Sequence, residues 1–213
     1  MKLEFFMIGI FTLIAVGCKS DTVNSNTASS PIEAGISQEV RNDFETWEKE
    51  IFPSTEKLVK SVSQSILKRS ASKFNASKDA GPTPKADTSR FNDPFVKKVV
   101  QAKEDGMHLS WQAQISSIMV EAIVCENRYS KKAEVNLHEK PIDRNNSRFE
   151  SASVNEKVET LRGITDGITA MTQENQKVLE ELDTGTCWNF TTMKEDNCKL
   201  PDPTSCKNFI PNI

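Results

Sequence analysis

The stretch that decides the fold is MHLSWQAQISSIMVEAIVCENRY, residues 107–129. Its apolar residues recur at gaps of three and four, the period of one face of an α-helix. These residues are Met107, Trp111, Ile115, Ile118, Ala122, Cys125 and Tyr129. From Ile118 to Cys125 the stretch is apolar nearly all round, so we expect the most buried helix here. A buried strand over these last eight residues is the alternative, which the helical run before them disfavours.

Further helical patterns lie on both sides of this stretch. The central helix extends back to about Phe95, and we expect Trp111 and Ile115 at the centre of the core. Before it, apolar residues keep one helical phase from Ile36 to Ile66. Pro53 interrupts this phase and predicts a first helix that is kinked or divided there.

A third helix is predicted over about residues 149–183, from a seven-residue apolar repeat typical of a bundle seam. Asn175 interrupts the repeat, and Gly163 and Gly167 weaken its middle or let another helix approach closely. The repeat consists of Val154, Leu161 and Ile168, with Ile164, Met171 and Val178 interleaved. The predicted fold is all-α: an elongated three-helix bundle or helical hairpin with a kinked first helix and an irregular disulfide-linked C-terminal tail.

Composition supports one helical domain and disfavours some partners. The chain has 213 residues, eight glycines and a single tyrosine, which argues against a sheet-rich fold with many tight turns. Its formal net charge is −3, so no basic surplus exists to neutralise phosphates, and we expect no nucleic-acid binding.

The first residues, MKLEFFMIGIFTLIAVGC, form a leader pattern. Lys2 precedes an uncharged run from Phe5 to Gly17, which predicts a signal peptide over residues 1–17. The run is shorter than the roughly 20 residues that a membrane-spanning helix needs. Residues 19–31 are rich in Ser, Thr and Asn, which predicts that residues 18–31 form a flexible tether.

The end of the leader, Ala15-Val16-Gly17-Cys18, resembles the lipobox of bacterial lipoproteins. The resemblance implies that Cys18 is acylated and becomes the mature N-terminus, so that a lipid anchor holds the protein in a membrane. Ala15 departs from the leucine that is usual at the first position. Lys19 after the cysteine resembles a signal for the outer membrane. The alternative is an ordinary secretory signal in which Cys18 has no role.

The remaining four cysteines form an even set: Cys125, Cys187, Cys198 and Cys206. In an exported protein this predicts two disulfides with three possible connectivities. A metal site is the competing interpretation, but the tail has no C-x-x-C pair and no nearby histidine. If the second and third helices formed an antiparallel hairpin, Cys125 and Cys187 would lie at opposite ends. Cys125 would then meet Cys198 or Cys206.

One helical domain is expected over residues 32–213, with a linker at 70–94, a loop at 130–147 and a cysteine-containing tail at 186–213. No catalytic motif or cofactor motif is evident, and His108 and His138 are expected to be boundary and solvated side chains. We therefore expect no catalytic residues, no cofactor and no metal.

The predicted function is a non-enzymatic structural or protein-interaction role at the bacterial envelope. Its partners would be the membrane, through the lipid anchor, and a protein. One alternative is a secreted, soluble helical protein that acts as a eukaryotic ligand or effector. Another is a helical module that binds a small apolar molecule in a cavity beside Trp111 and Met119.

Overall fold

The computed structural model describes residues 35–69, 81–135, 137, 146–189, 194–197 and 206–213. The leader and tether, including Cys18, lie outside these residues, as do Cys198 and His138. Ile36–Ile213 form one compact unit.

Three long helical segments form most of the described part of this unit. The first consists of α1 (Gln38–Thr46), a π-helical turn (Trp47–Ile51) and α2 (Phe52–Arg69). The second is α3 (Pro94–Tyr129); after a short helix, α4 (Asn146–Ser151), comes the third, α5 (Val154–Thr184). The all-α, three-helix prediction is confirmed, and α3 is helical through the stretch for which a strand was the alternative.

A two-stranded antiparallel hairpin follows α5. It consists of β1 (Thr186–Asn189) and β2 (Lys194–Asn197), with Thr186 opposite Asn197 and Asn189 opposite Lys194. Strands of four residues are too short to produce a recognisable apolar alternation, so the hairpin was not predicted.

The first and third helical segments run parallel. The Trp47 indole N–H donates to the Leu161 carbonyl oxygen at 3.2 Å, and the Thr55 and Thr169 hydroxyls share a hydrogen bond at 3.2 Å. The partners in each pair are 114 residues apart in the sequence. Residue numbers that keep a constant difference along a contact belong to helices that advance in the same direction.

Helix α3 is parallel to the other two segments as well. The Asn175 side-chain amide donates to the Ser117 hydroxyl oxygen at 2.8 Å, and these residues are 58 apart. A Cβ atom built on Gly106 would lie 3.3 Å from Cγ2 of Ile164, a residue that is also 58 positions further on. Between α2 and α3, the Ser63 and Ser116 hydroxyls share a hydrogen bond at 3.1 Å.

An antiparallel hairpin of the second and third helices is therefore wrong. Parallel neighbours need connections that return along the whole bundle, whereas antiparallel neighbours need only short loops. Residues 70–93 and 130–153 provide such connections. The described part of the first runs beside the start of α3, where Gln101 accepts a hydrogen bond from the Ala86 N–H at 3.0 Å and donates to the Pro84 carbonyl at 3.2 Å.

The interruption predicted at Pro53 takes the form of a π-helical turn just before it. The Phe52 N–H donates to the carbonyl of Trp47, five residues back, so the helical backbone continues into α2. In a regular α-helix the proline ring would collide with the carbonyl four residues earlier. A wider turn at this place accommodates the proline within one helical segment.

The buried seam of α5 differs in part from the predicted repeat. Val154, Leu161 and Ile168 are buried as predicted, but Ile164, Met171 and Val178 are only partly buried and flank the seam. The interleaved positions are held instead by Val158, Thr165, Thr172 and Leu179. The threonines can be buried because their hydroxyls donate to carbonyl oxygens four residues back, at 3.1 and 2.6 Å.

Two further predictions about this region are settled. Asn175 remains on the seam and is buried rather than ending it. A Cβ atom at Gly163 or Gly167 would meet nothing within 4 Å, so the close helix approach occurs at Gly106 of α3 instead.

Helix α3 is buried on more than one face. Leu109 and Ala113 pack with α2 and α5, in a cluster with Val59 and Ile168. Trp111 and Ile115 are buried, but they form a separate cluster with Leu137. Both residues therefore belong to the core as predicted, but to a cluster apart from the one that Leu109 and Ala113 form with α2 and α5. No helix in the described residues has the length and apolar character to cross a membrane.

Candidate functional site

The candidate site lies where α3 ends and the C-terminal residues return to it. Ser130 ends α3 in the left-handed conformation, with φ of 52°, which turns the chain back over the helix. The Ala133 N–H then donates to the Glu126 carboxylate at 2.9 Å and holds the turn against the last helical residues. Ala133 is buried beside Ala122 and Cys125 as a result.

A disulfide joins this end of α3 to the C-terminal residues. Cys125 and Cys206 are bonded, with their Cα atoms 5.5 Å apart, and each residue is 0% exposed. Cys206 is one of the two partners predicted for Cys125. The reasoning behind that prediction was wrong, since parallel helices bring the end of α3 and the start of the tail to the same end of the bundle.

Residues 206–213, which we call the C-terminal strap, lie against the turn after α3. The Glu134 N–H donates to the Phe209 carbonyl at 2.6 Å, and the Lys131 ammonium donates to the Asn212 carbonyl at 3.4 Å. Ile210 is buried in the same cluster as the disulfide. Phe209 packs against that cluster as well, and the Phe209 and Ile210 N–H groups donate to the Cys206 carbonyl within the strap, at 3.0 and 2.8 Å.

The disulfide makes the largest single contribution to holding the strap in place. Ordering eight residues costs roughly 8 kcal/mol at about 1 kcal/mol each. Burial of Ile210 contributes roughly 2–3 kcal/mol and the two hydrogen bonds about 1 kcal/mol each. A bridge across a sequence separation of 81 residues contributes roughly 4 kcal/mol, mainly by restricting the unfolded chain. With the packing of Phe209 and the two hydrogen bonds within the strap added, the non-covalent contacts roughly balance the ordering cost, so the strap without its disulfide would be only marginally held.

The other predicted site residues are only partly located. The backbone of Cys187 lies in β1 opposite Asp196. Its side chain, Cys198 and the predicted lipidation site Cys18 lie outside the residues that the structure describes.

A second cluster, at the end where the helices begin, was not predicted. Phe149 of α4 is buried, with the Lys103 and Lys157 ammonium groups 5.2 and 5.6 Å from its ring centroid. Lys157 is 0% exposed and donates to the carbonyl oxygens of Glu150, at 3.1 Å, and of Ala152. Burial lowers its pKa, and the charge of Arg90 adds to this effect.

The position of Lys157 follows from the way α5 begins. Ser153 and Glu156 form a capping box, in which the Ser153 hydroxyl accepts the Glu156 N–H and the Glu156 carboxylate accepts the Ser153 N–H. This cap starts α5 at Val154 and directs Lys157 back over the carbonyl end of α4. The Ser-x-x-Glu pattern at 153–156 was the sequence signal for this boundary. The cluster has a structural role: the lysine donates hydrogen bonds to carbonyl oxygens that have no partner within α4 because the helix ends there.

The remaining candidates are His108 and the pair Trp111 and Met119. His108 is buried, and its Nε2 lies 3.0 Å from the Gln112 amide nitrogen. Trp111 and Met119 belong to different clusters, so they do not face one common space. Within the described residues, no three His, Cys, Asp or Glu side chains are grouped so that they could hold a metal ion.

No protein-family model, curated protein or solved structure matches this chain. Its function therefore has to be argued from its own residues. Two features bear on it most directly: the leader with Cys18, and the buried Cys125–Cys206 bond.

Proposed function

We propose that the protein is an exported, helical lipoprotein of the bacterial envelope, anchored in the outer membrane through acylated Cys18, with a structural or protein-interaction role rather than an enzymatic one. The observation that carries the proposal is the buried disulfide between Cys125 and Cys206, together with the leader. Disulfides persist in oxidising compartments such as the periplasm and the cell surface. A leader that ends in a cysteine supplies both the route to such a compartment and an attachment point.

The direction of the helices gives this proposal a geometric consequence. The tether leads to Gln38, at the end where all three long segments begin. The C-terminal strap lies at the other end of α3. Since α5 has 31 residues, the two ends are separated by about 46 Å of helix. Within the helical unit, the end that follows the predicted tether in the sequence and the strap end are therefore opposite ends of the long helices.

Lipid labelling in the bacterial host tests the proposal. Cells producing the full-length chain are grown with radiolabelled palmitate, and the protein is recovered from separated membrane and soluble fractions. Label on the wild-type chain in the outer-membrane fraction is the expected result. Cys18→Ser should lose both label and membrane association, whereas Cys187→Ser, the matched control at another cysteine, should keep both.

Two results would overturn the proposal. An unlabelled wild-type chain released in soluble form would indicate a secreted protein instead. Label that persists in the Cys18→Ser chain would place the lipid elsewhere and remove the role assigned to the leader cysteine.

A further inference from the structure

The C-terminal strap covers an apolar part of α3 that continues into the connection after the helix. Ala122, Ala133 and Ile210 are buried around the disulfide, and Tyr129, Val135 and Phe209 pack against them. Most of the strap itself is exposed, since only Cys206 and Ile210 among its residues are buried. Removal of the strap would therefore expose the apolar side chains of α3 and of the following turn that Ile210 and Phe209 now pack against.

The Cys125–Cys206 disulfide lies on the side of the strap that faces α3. Both cysteine residues are fully buried, whereas Lys207 and Asn208 beside them in the chain are exposed. A reductant approaching from solvent therefore meets the strap first and reaches the sulfurs only when the strap lifts. Protection of the bond and closure of the strap depend on each other.

From this arrangement we infer that the Cys125–Cys206 disulfide and the strap form a redox-controlled latch on α3. A dithiol reductant attacks one sulfur, releases the other as a thiolate, and is then oxidised to its own disulfide. Two electrons pass to the protein, and protonation leaves two cysteine thiols. The strap then detaches from the Glu134 N–H and exposes the apolar face beneath it, while the three-helix core remains folded.

The core is expected to survive because most of its contacts lie away from the latch, with Val135 as the side chain that packs against both the latch cluster and the neighbouring core cluster. The polar pairs Thr55–Thr169 and Asn175–Ser117 join the helices away from the disulfide. The apolar cluster of Val59, Leu109, Ala113 and Ile168 is also separate from it. The inference is independent of the lipid anchor, so failure of one leaves the other intact.

Hydrogen exchange measured by mass spectrometry tests the latch on the full chain. In the Cys187→Ser/Cys198→Ser variant, only the Cys125–Cys206 pair remains to be reduced among the four predicted disulfide cysteines. Peptides covering Glu134 and Ile210 are compared before and after treatment with dithiothreitol. We expect their backbone amides to exchange about 100-fold faster after reduction, since the lost bond restricted this segment. Peptides from the middle of α5 should keep their protection.

Wild-type protein under the same treatment provides a second measurement if that variant does not fold. Unchanged exchange of the strap peptides after complete reduction would overturn the inference, because the strap would then hold without its bond. Equal acceleration throughout α5 would also overturn it, because the disulfide would then support the whole fold instead of a latch.

Discussion

The hydrogen bond between Asn175 and Ser117 gives the sharpest test of the parallel arrangement. Asn175 is buried on the seam of α5, and its amide donates to the Ser117 hydroxyl of α3 at 2.8 Å. A single polar side chain at a seam position fixes the register of neighbouring helices. If α5 ran antiparallel to α3, with Gly106 and Ile164 still in contact, position 175 would lie far from position 117.

A double-mutant cycle with Asn175→Ala and Ser117→Ala measures this contact. Each single change should lower the free energy of unfolding by about 1–2 kcal/mol, since the hydrogen bond is lost and a small void is left. The loss at Asn175→Ala is limited because the Ser117 hydroxyl still has the Ala113 carbonyl as an acceptor at 3.2 Å. The coupling energy between the two changes should be about 0.5–1.5 kcal/mol.

The assay is urea unfolding followed by helical circular dichroism under oxidising conditions. The matched control pairs Ser117→Ala with Gln176→Ala, because Gln176 is exposed and its amide donates to Glu180 on its own helix. Coupling in the control should be near zero. A coupling energy below about 0.3 kcal/mol for Asn175 and Ser117 would refute the parallel register of α3 and α5.

Three further predictions concern Trp47, the Arg69–Asp183 pair and the second disulfide. Trp47→Phe should lower the free energy of unfolding by about 1–2 kcal/mol in urea titrations, because a buried hydrogen bond to α5 is lost; an unchanged midpoint would contradict it. Arg69 donates hydrogen bonds to Asp183, which lowers the pKa of the Asp183 carboxyl below its usual 3.8. The stability that this pair contributes is therefore present above pH 3.8 and is lost as the pH falls further. The difference in unfolding midpoint between wild type and Asp183→Asn should therefore shrink on acidification from pH 5, and a constant difference would count against the pair. With Cys125 and Cys206 bonded, non-reducing peptide mapping should find Cys187 linked to Cys198, and two free thiols there would rule out the second disulfide.

The helices themselves could be predicted from the sequence. The predicted start of α3 at about Phe95 lies one residue from the observed Pro94, and both ranges end at Tyr129. A regular apolar period fixes where such a helix runs, and Asp93 accepts the Phe95 N–H at 2.6 Å as a cap before the first turn.

The direction and pairing of the helices could not be predicted in the same way. An apolar period shows which residues share a face, but not which neighbour covers that face or which way the neighbour runs. The period placed Trp111 in the core, for example, but did not show that Leu137 packs against it. The length of the connection at residues 70–93 was the available signal for a crossover, since it far exceeds what an antiparallel turn needs.

Burial of polar side chains was the other part that the sequence did not reveal. Thr165 and Thr172 lie on the seam because each hydroxyl has a carbonyl acceptor on its own helix. Lys157 is buried because the carbonyl oxygens of Glu150 and Ala152, at and just after the end of α4, accept hydrogen bonds from its ammonium group. Such hydrogen-bond partners are defined only by the folded structure. A pattern of apolar residues therefore does not predict the burial of these polar side chains.

The most direct test of the proposed function is mass spectrometry of the mature N-terminus, on protein taken from its native membrane. If Cys18 is the lipid anchor, the first residue is Cys18 and its mass includes a diacylglyceryl group. A mature chain that begins after Cys18, or that carries Cys18 without lipid, would contradict the anchor and with it the assignment to the outer membrane.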